Sequence, residues 1–348
     1  MKKLIRRWSN RYKDQRRKKQ LENQVGIDLE SLIKSCEDVV LKKTGNKIYT
    51  RFRDLGGANN HGMLLHHSVQ TKKPIAISKI EESSLADREY RFLTWQKDYR
   101  ANTLCAEPLG LTPTSEQGFR CLITSVLEHP QIFSYSQAQQ LFHMLGQQPE
   151  KVSFLSLTGE KESLRDEIND STKIKSILVH LVSQFDSDNA ENFYKAFLQE
   201  REGLFESNQN LFITLQSLMN SIYTKLKSYD MTVHEGLVHG DFKQQNIMEY
   251  DDSYRVIDCQ YYTYGIRLWD LAFLYSKDES GFDIVKQQIE KLPLTEEKLL
   301  IIFFYVIASL INVKKKRANK VIESQILPVE KYITLFLAQE FNLTKDSF

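Results

Sequence analysis

Between His239 and Phe273 the chain reads HGDFKQQNIMEYDDSYRVIDCQYYTYGIRLWDLAF. Asp241, Asn246 five residues on, Asp258 at the end of a Val256-Ile257-Asp258 run, and Asp270 twelve further put three carboxylates and an amide into one loop–strand–loop unit. Such a set suits phosphoryl transfer. One carboxylate orients an acceptor hydroxyl and takes its proton, while an amide oxygen and a second carboxylate hold Mg²⁺, a hard cation that prefers oxygen. Short apolar runs on either side of Asp251-Asp252-Ser253 predict a hairpin, which would bring Asn246 and Asp258 back side by side. An HGD tripeptide alone is common by chance. The full spacing 241, 246, 258, 265, 270 is far harder to reach by accident.

A second pair of residues lies upstream. Lys79 ends a strand-like run from Pro74 in which Ile75, Ile77 and Lys79 share one face. Ser84 then reads as a helix N-cap with Asp87 three residues on, a variant capping box. The helix that follows carries Leu85, Glu89, Phe92 and Leu93 on one stripe. A lone acid on an apolar stripe needs a cationic partner.

The pattern HGDxxxxN followed by IDxxxxxxGxxxxDLA resembles the signature of the aminoglycoside phosphotransferase/choline kinase family. That resemblance implies an α+β, bilobal, protein-kinase-like fold, with a small antiparallel-sheet N-lobe and a larger, mainly helical C-lobe. It implies Asp241 as the catalytic base and Asn246 and Asp258 as magnesium ligands. Asp270 becomes a buried acid bracing the catalytic loop, and His239 a loop-positioning residue. Lys243 stands where the family more usually has His, and resembles the protein-kinase lysine that contacts the transferred phosphate. Cys259-Gln260 replaces the Phe-Gly of protein kinases, which argues against their style of activation switch. In this fold a strand lysine and a helix glutamate anchor the nucleotide, roles that fall to Lys79 and Glu89. Gly56 and Gly57, in the segment 56–62, would lie over the phosphates, and Ser125 to Glu128, with Ser125 and Leu127 foremost, would meet adenine. ATP and Mg²⁺ are the implied cofactors. The resemblance spans roughly residues 45–345 and is strong only over 236–273.

The elements that must position these groups are legible in outline. A helix is expected over Leu29 to Lys43, strands over Ile48 to Leu55, Met63 to Gln70 and Gly118 to Leu127, and helices with polar breaks from about 130 to 228. The expected partition is a basic arm at 1–34, a nucleotide-binding lobe at 35–128, and a helical lobe at 129–348 that carries the catalytic loop and acceptor site. Gly and Pro together make about 6% of the 348 residues, which excludes collagenous and Pro/Gly-rich disordered classes. Four scattered cysteines without a CxxC pair argue against a disulfide framework or zinc cluster and fit a reducing cytoplasm. The longest apolar run, 15 residues from Leu299 to Val313, is short for a membrane span and reads as a buried helix. Tyr261, Tyr262, Tyr264 and Trp269 could cage a quaternary ammonium, but packing is the commoner use of such residues.

The net charge of +2 conceals an asymmetry: residues 1–20 carry ten Lys/Arg against one acid, leaving −7 for the rest. An acidic body gives no expectation of nucleic-acid binding. On a helical wheel Met1, Leu4, Ile5, Trp8 and Tyr12 fall on one arc, and most of the basic residues fall outside it. That is the pattern of a helix lying on an anionic membrane face, and it gives an expected location that is cytoplasmic with peripheral contact at the inner face. The expected activity is transfer of the ATP γ-phosphate to a hydroxyl of a small-molecule or sugar-like acceptor. Two rivals stand beside it: a kinase acting on a membrane-linked glycan or polymer, and a nucleotide-binding pseudokinase scaffold.

Overall fold

The computed structural model describes residues 18–53, 61–99, 104–127, 135–146, 174–250, 253–278, 282–292, 295–311 and 313–334. The glycines at 56 and 57, Glu128 and residues 1–17 of the basic arm lie outside the described residues. Internal contacts divide the chain into two units, Met1–Gln131 with Met248–Gln260, and Ile132–Ile247 with Tyr261–Phe348. The division is discontinuous: the segment Met248–Gln260, which carries Asp258, groups with the first unit.

The first unit is built on helix α1 (Leu29–Thr44), strands β1 (Ile48–Arg53), β2 (Gly62–Ser68) and β3 (Pro74–Glu82), helix α2 (Ser83–Tyr99), and strands β4 (Pro108–Leu111) and β5 (Phe119–Ser125). The strands form one antiparallel sheet in the order β1-β2-β3-β5-β4. Asp28 caps α1 by accepting from the Ser31 N–H at 2.9 Å, and Gly45 ends the helix with φ 69°, the left-handed conformation glycine adopts at no steric cost. Leu29, Leu32, Cys36 and Val40 form its buried stripe, packed in one core with Leu64, Ala76, Ile80 and Ile123 of the sheet.

Two sequence expectations need correction here. The third strand runs on past Lys79 to Glu82, and α2 starts at Ser83 rather than after a Ser84 cap. Asp87, the expected partner in that capping box, instead accepts from Arg120 Nη1 at 2.6 Å. His66 is buried and held by Thr50 Oγ1 at 2.8 Å and Ser78 Oγ at 2.6 Å, so it is a satisfied core histidine.

The expected hairpin is present as β7 (Ile247–Tyr250) and β8 (Ser253–Val256). Val256 N–H donates to the Leu104 carbonyl at 2.8 Å, and Cys105 bridges Val256 in parallel, which ties the hairpin into the first unit.

The second unit is mainly helical, with α3 (Tyr135–Gly146), α4 (Asp188–Arg201), α5 (Gln209–Leu226), α6 (Leu268–Ser276), α7 (Phe282–Ile289) and α8 (Thr295–Leu310), and it also holds a two-stranded ribbon, β6 (Glu235–Val238) with β9 (Thr263–Ile266). Every residue from Leu299 to Leu310 is buried, so the apolar run is a core helix of this unit. Among the described residues no helix is long and apolar enough to cross a membrane. The α+β class is as expected, an antiparallel sheet in one unit and a helical array in the other.

Candidate active site

In each unit a cluster of charged groups gathers around the expected site residues. In the first, Lys79 projects from β3 and its Nζ meets three carboxylates: Glu89 Oε2 at 2.7 Å, Asp258 Oδ1 at 2.8 Å and Glu81 Oε1 at 2.7 Å. Glu89 reaches back from the buried face of α2, and its second oxygen accepts from the Cys259 N–H at 2.9 Å. The glutamate therefore orders both the lysine and the backbone just beyond Asp258. Asp258 itself sits at φ 63°, a left-handed conformation that costs a non-glycine residue energy. Such strain persists only where the surroundings over-determine it, and it concentrates at functional positions.

Glu81 was not among the sequence candidates. It lies two residues past Lys79 on the same strand face, so period-two alternation would have found it had the strand been carried far enough. Its side chain is fully buried, and the contact with Lys79 is an ion pair too poorly angled for a hydrogen bond. Burial pushes the Glu81 carboxyl up to about 8, against the pull of Lys79. Burial alone would lower the lysine, but Glu89, Asp258 and Glu81 together hold it well above its ordinary value. Oxygens of the three acids lie within 4.8 Å of one another, close enough for a cation, and the ammonium serves as that cation. Asp258 is the most exposed of the three, with 28% of its side chain open to solvent.

Of the expected adenine segment, Ser125 exchanges hydrogen bonds with Glu107, its N–H to the Glu107 carbonyl and its Oγ from the Glu107 N–H, at 2.9 and 3.0 Å. Leu127 makes no backbone–backbone hydrogen bond to any described residue.

In the second unit the loop after β6 is fixed from below by Asp270 at the start of α6. Its two oxygens accept from the His239 and Gly240 N–H groups at 2.7 and 2.9 Å, and the neighbouring Trp269 Nε1 donates to the Gly240 carbonyl at 2.9 Å. Burial pushes Asp270 up to about 6, opposed by His239 and those backbone donors. His239 Nδ1 accepts from the Asp241 N–H at 3.3 Å. Lys243 Nζ pairs with Asp241 Oδ2, and Asn246 Nδ2 donates to the Asp241 carbonyl at 2.9 Å and to Oδ2 at 3.1 Å. The structure thus brings together Asp241, Lys243, Asn246, His239 and Asp270 in this unit, and Lys79, Glu89 and Asp258 in the other. Gly265, the remaining fixed point of the spacing, leaves no room for a side chain, since a Cβ there would lie 2.4 Å from the Val182 carbonyl oxygen.

The aromatic residues beside this loop are packing groups rather than a cage: Tyr261, Tyr262 and Trp269 are all buried. Cys259 is likewise a buried filler, with its sulfur 3.9 Å from that of Cys105.

Gly240 carries the bend that presents Asp241. Its φ is 87°, and a Cβ would meet Leu178 Cδ1 at 2.7 Å and the Tyr261 Cβ and carbonyl oxygen, each at 2.9 Å. Gly240→Ala combines left-handed strain, roughly 1–2 kcal/mol, with overpacking of similar size. We expect it to lower stability by about 2–4 kcal/mol in urea denaturation, and an unchanged midpoint would contradict this account of the bend.

The family model of the phosphotransferase enzyme family, APH, matches residues 69–291, well over half of the chain. No curated protein matches significantly. Among solved structures, the chain is similar to a spectinomycin phosphotransferase in complex with ADP and spectinomycin, at 15% identity and TM-score 0.45, with 86% of each chain covered. It is also similar to a choline kinase from Cryptosporidium parvum Iowa II, at 13% identity and TM-score 0.41, over 92% of this chain and 97% of that one.

Proposed function

Because this chain belongs to the phosphotransferase enzyme family, we propose that it moves the γ-phosphate of ATP to a hydroxyl of a small-molecule or sugar-like acceptor, with Asp241 as the base. The observation that carries this reading is the second-unit cluster. A buried carboxylate, engaged by Lys243 and Asn246, stands on a loop whose N–H groups are held by Asp270. In the step, the acceptor oxygen bonds to the γ-phosphorus, the bond from that phosphorus to the β–γ bridging oxygen breaks, and ADP leaves. The hydroxyl proton passes to Asp241. Lys243 offsets charge on the transferred group, and little covalent chemistry is left for the protein beyond positioning. Lys79, ordered by Glu89, is assigned to the nucleotide phosphates, and Leu127 to adenine.

Asn246 and Asp258 are each assigned to magnesium on the chemistry of their own donors. Asn246 spends its amide nitrogen on Asp241, which leaves its oxygen as an acceptor, and Asp258 offers a partly exposed carboxylate. Both are the oxygen donors that a hard divalent cation prefers. When bound, the ion would neutralise phosphate charge. Asp258→Ala should make nucleotide affinity insensitive to magnesium, as read by titrating a fluorescent nucleotide with and without the ion. Wild-type magnesium dependence in that variant would make Asp258 structural.

The reading as a whole is tested by ADP release from Mg-ATP across amino sugars, aminoglycosides, choline-type alcohols, neutral and acidic sugars, and lipid-linked glycans. Stimulation by any soluble member supports it, and stimulation by lipid-linked glycans alone favours the polymer kinase. Nucleotide binding with no turnover under any condition favours the scaffold.

A further inference from the structure

The chain beyond the arm carries −7, yet residues 41–53 and 61–80 contain no Asp or Glu. Six cations in these segments are exposed: Lys42, Lys43, Lys47, Arg51, Lys72 and Lys73. The fold gathers them at one corner of the first unit. The last turn of α1 delivers Lys42 and Lys43, and Gly45 turns the chain towards Lys47 and β1, an edge strand of the sheet. The turn between β2 and β3 lies alongside, with the Val69 N–H donating to the Lys47 carbonyl at 2.9 Å. Within that turn the Ser68 N–H donates to the Lys73 carbonyl and the Lys72 N–H to the Ser68 carbonyl, both at 3.0 Å. Lys72 holds φ 60°, a left-handed conformation that a non-glycine residue adopts at a cost.

Tyr49 joins the strand to the turn. Its ring stacks on His67 with centroids 5.1 Å apart and 13° between the planes. Arg51 Cζ lies 5.5 Å and Lys72 Nζ 5.6 Å from the centroid of the same ring. Two cations held on one ring repel each other. Among the described residues none of the six pairs with a carboxylate, although acids outnumber bases in the chain beyond the arm. Two of the five large apolar side chains exposed among the described residues also stand here, Leu41 in the last turn of α1 at 45% and Val69 in the β2–β3 turn at 41%. Charge along an edge strand also keeps sheets of separate copies from pairing. That use accounts for cations on β1, but not for those of the turn and the helix end, nor for the exposed Leu41 and Val69.

We propose that this corner docks the protein on an anionic membrane surface, a contact separate from the basic arm and independent of the phosphotransferase reading. Five of the six cations are lysines, point charges on flexible stems that suit a diffuse layer of headgroups better than a bidentate grip on one phosphate. Leu41 and Val69 add apolar area at the headgroup level. Single-stranded nucleic acid fits less well. Base stacking needs an open aromatic face, and the Tyr49 ring is shared by His67, Arg51 and Lys72.

The test is flotation of full-length protein with vesicles of phosphatidylcholine alone and of phosphatidylcholine mixed with phosphatidylserine. The arm is intact in every variant, so differences report the corner. Each near-surface cation is worth a factor of about five on anionic lipid, so Arg51→Gln/Lys72→Gln/Lys73→Gln should weaken binding roughly 10²-fold. Lys72→Arg/Lys73→Arg keeps the charge and should bind like the wild type, while Val69→Ser should bind at least about threefold more weakly. Exposed substitutions of this kind leave stability nearly unchanged, and an equal thermal midpoint in all four proteins checks folding. Undiminished binding by the triple variant would assign membrane contact to the arm and overturn the proposal. So would the absence of wild-type flotation, or equal flotation with the neutral vesicles. A triple variant that loses affinity for a labelled single-stranded oligonucleotide, but not for the anionic vesicles, would make the corner a nucleic-acid site instead.

Discussion

Asp241→Asn is expected to lower phosphoryl transfer by at least about 10²-fold, the low end for loss of a general base, while Mg-ADP affinity stays within about threefold. The side chain is nearly isosteric, and its oxygen can still accept from Asn246 Nδ2, which now donates to Asp241 Oδ2 at 3.1 Å. The loop itself is held through Asp270 and the His239 and Gly240 N–H groups, none of which the substitution touches. What is lost is the capacity to take a proton and the negative charge that pairs with Lys243. Initial rates of ADP formation, with nucleotide affinity measured in parallel, separate this from general damage. Undiminished turnover would remove Asp241 from the base role.

Lys79→Ala should be chiefly a stability mutation. Removing one partner of a buried ion pair typically costs about 3–5 kcal/mol, because the remaining charge is left uncompensated. Here one ammonium serves three carboxylates, and Glu81 and Glu89 are both buried. Partial protonation of the acids tempers the loss, and Glu81, already pushed up to about 8, is the readiest to take a proton. Combining Lys79→Ala with Glu81→Gln should recover part of the lost stability in a double-mutant cycle, since neighbours that share a charge are not additive. Additivity within about 0.5 kcal/mol would show that Glu81 and Lys79 are not energetically coupled.

What the sequence determined by itself is the local chemistry. Asp241, Asn246 and Lys243 lie within six residues of one another, so a single loop is enough to gather them. The Lys79–Glu89 pair was legible for a related reason: a strand end followed by a helix leaves few places for a lone acid on an apolar stripe to find a cation. Apolar periodicity also marked Leu299–Leu310 as a core helix, because burial on all sides leaves no polar face in the pattern.

Tertiary structure decided what periodicity and spacing do not encode. Apolar alternation stops at Ile77, so nothing local shows that the strand continues through Glu81 or that this acid is fully buried. Only packing against α2 and the segment carrying Asp258 makes it the third partner of Lys79. Asp258 owes its left-handed backbone and its membership of the first unit to contacts that Leu104, Cys105 and Glu89 make from far along the chain. Asp87 gave up a local capping role for Arg120, thirty-three residues away, because a charged partner across the fold outweighs one backbone N–H. Lys277 reads in sequence as an ordinary polar residue at a helix end. Only the fold brings its Nζ to the Ala308 carbonyl, thirty-one residues away, because the end of α8 packs beside the end of α6.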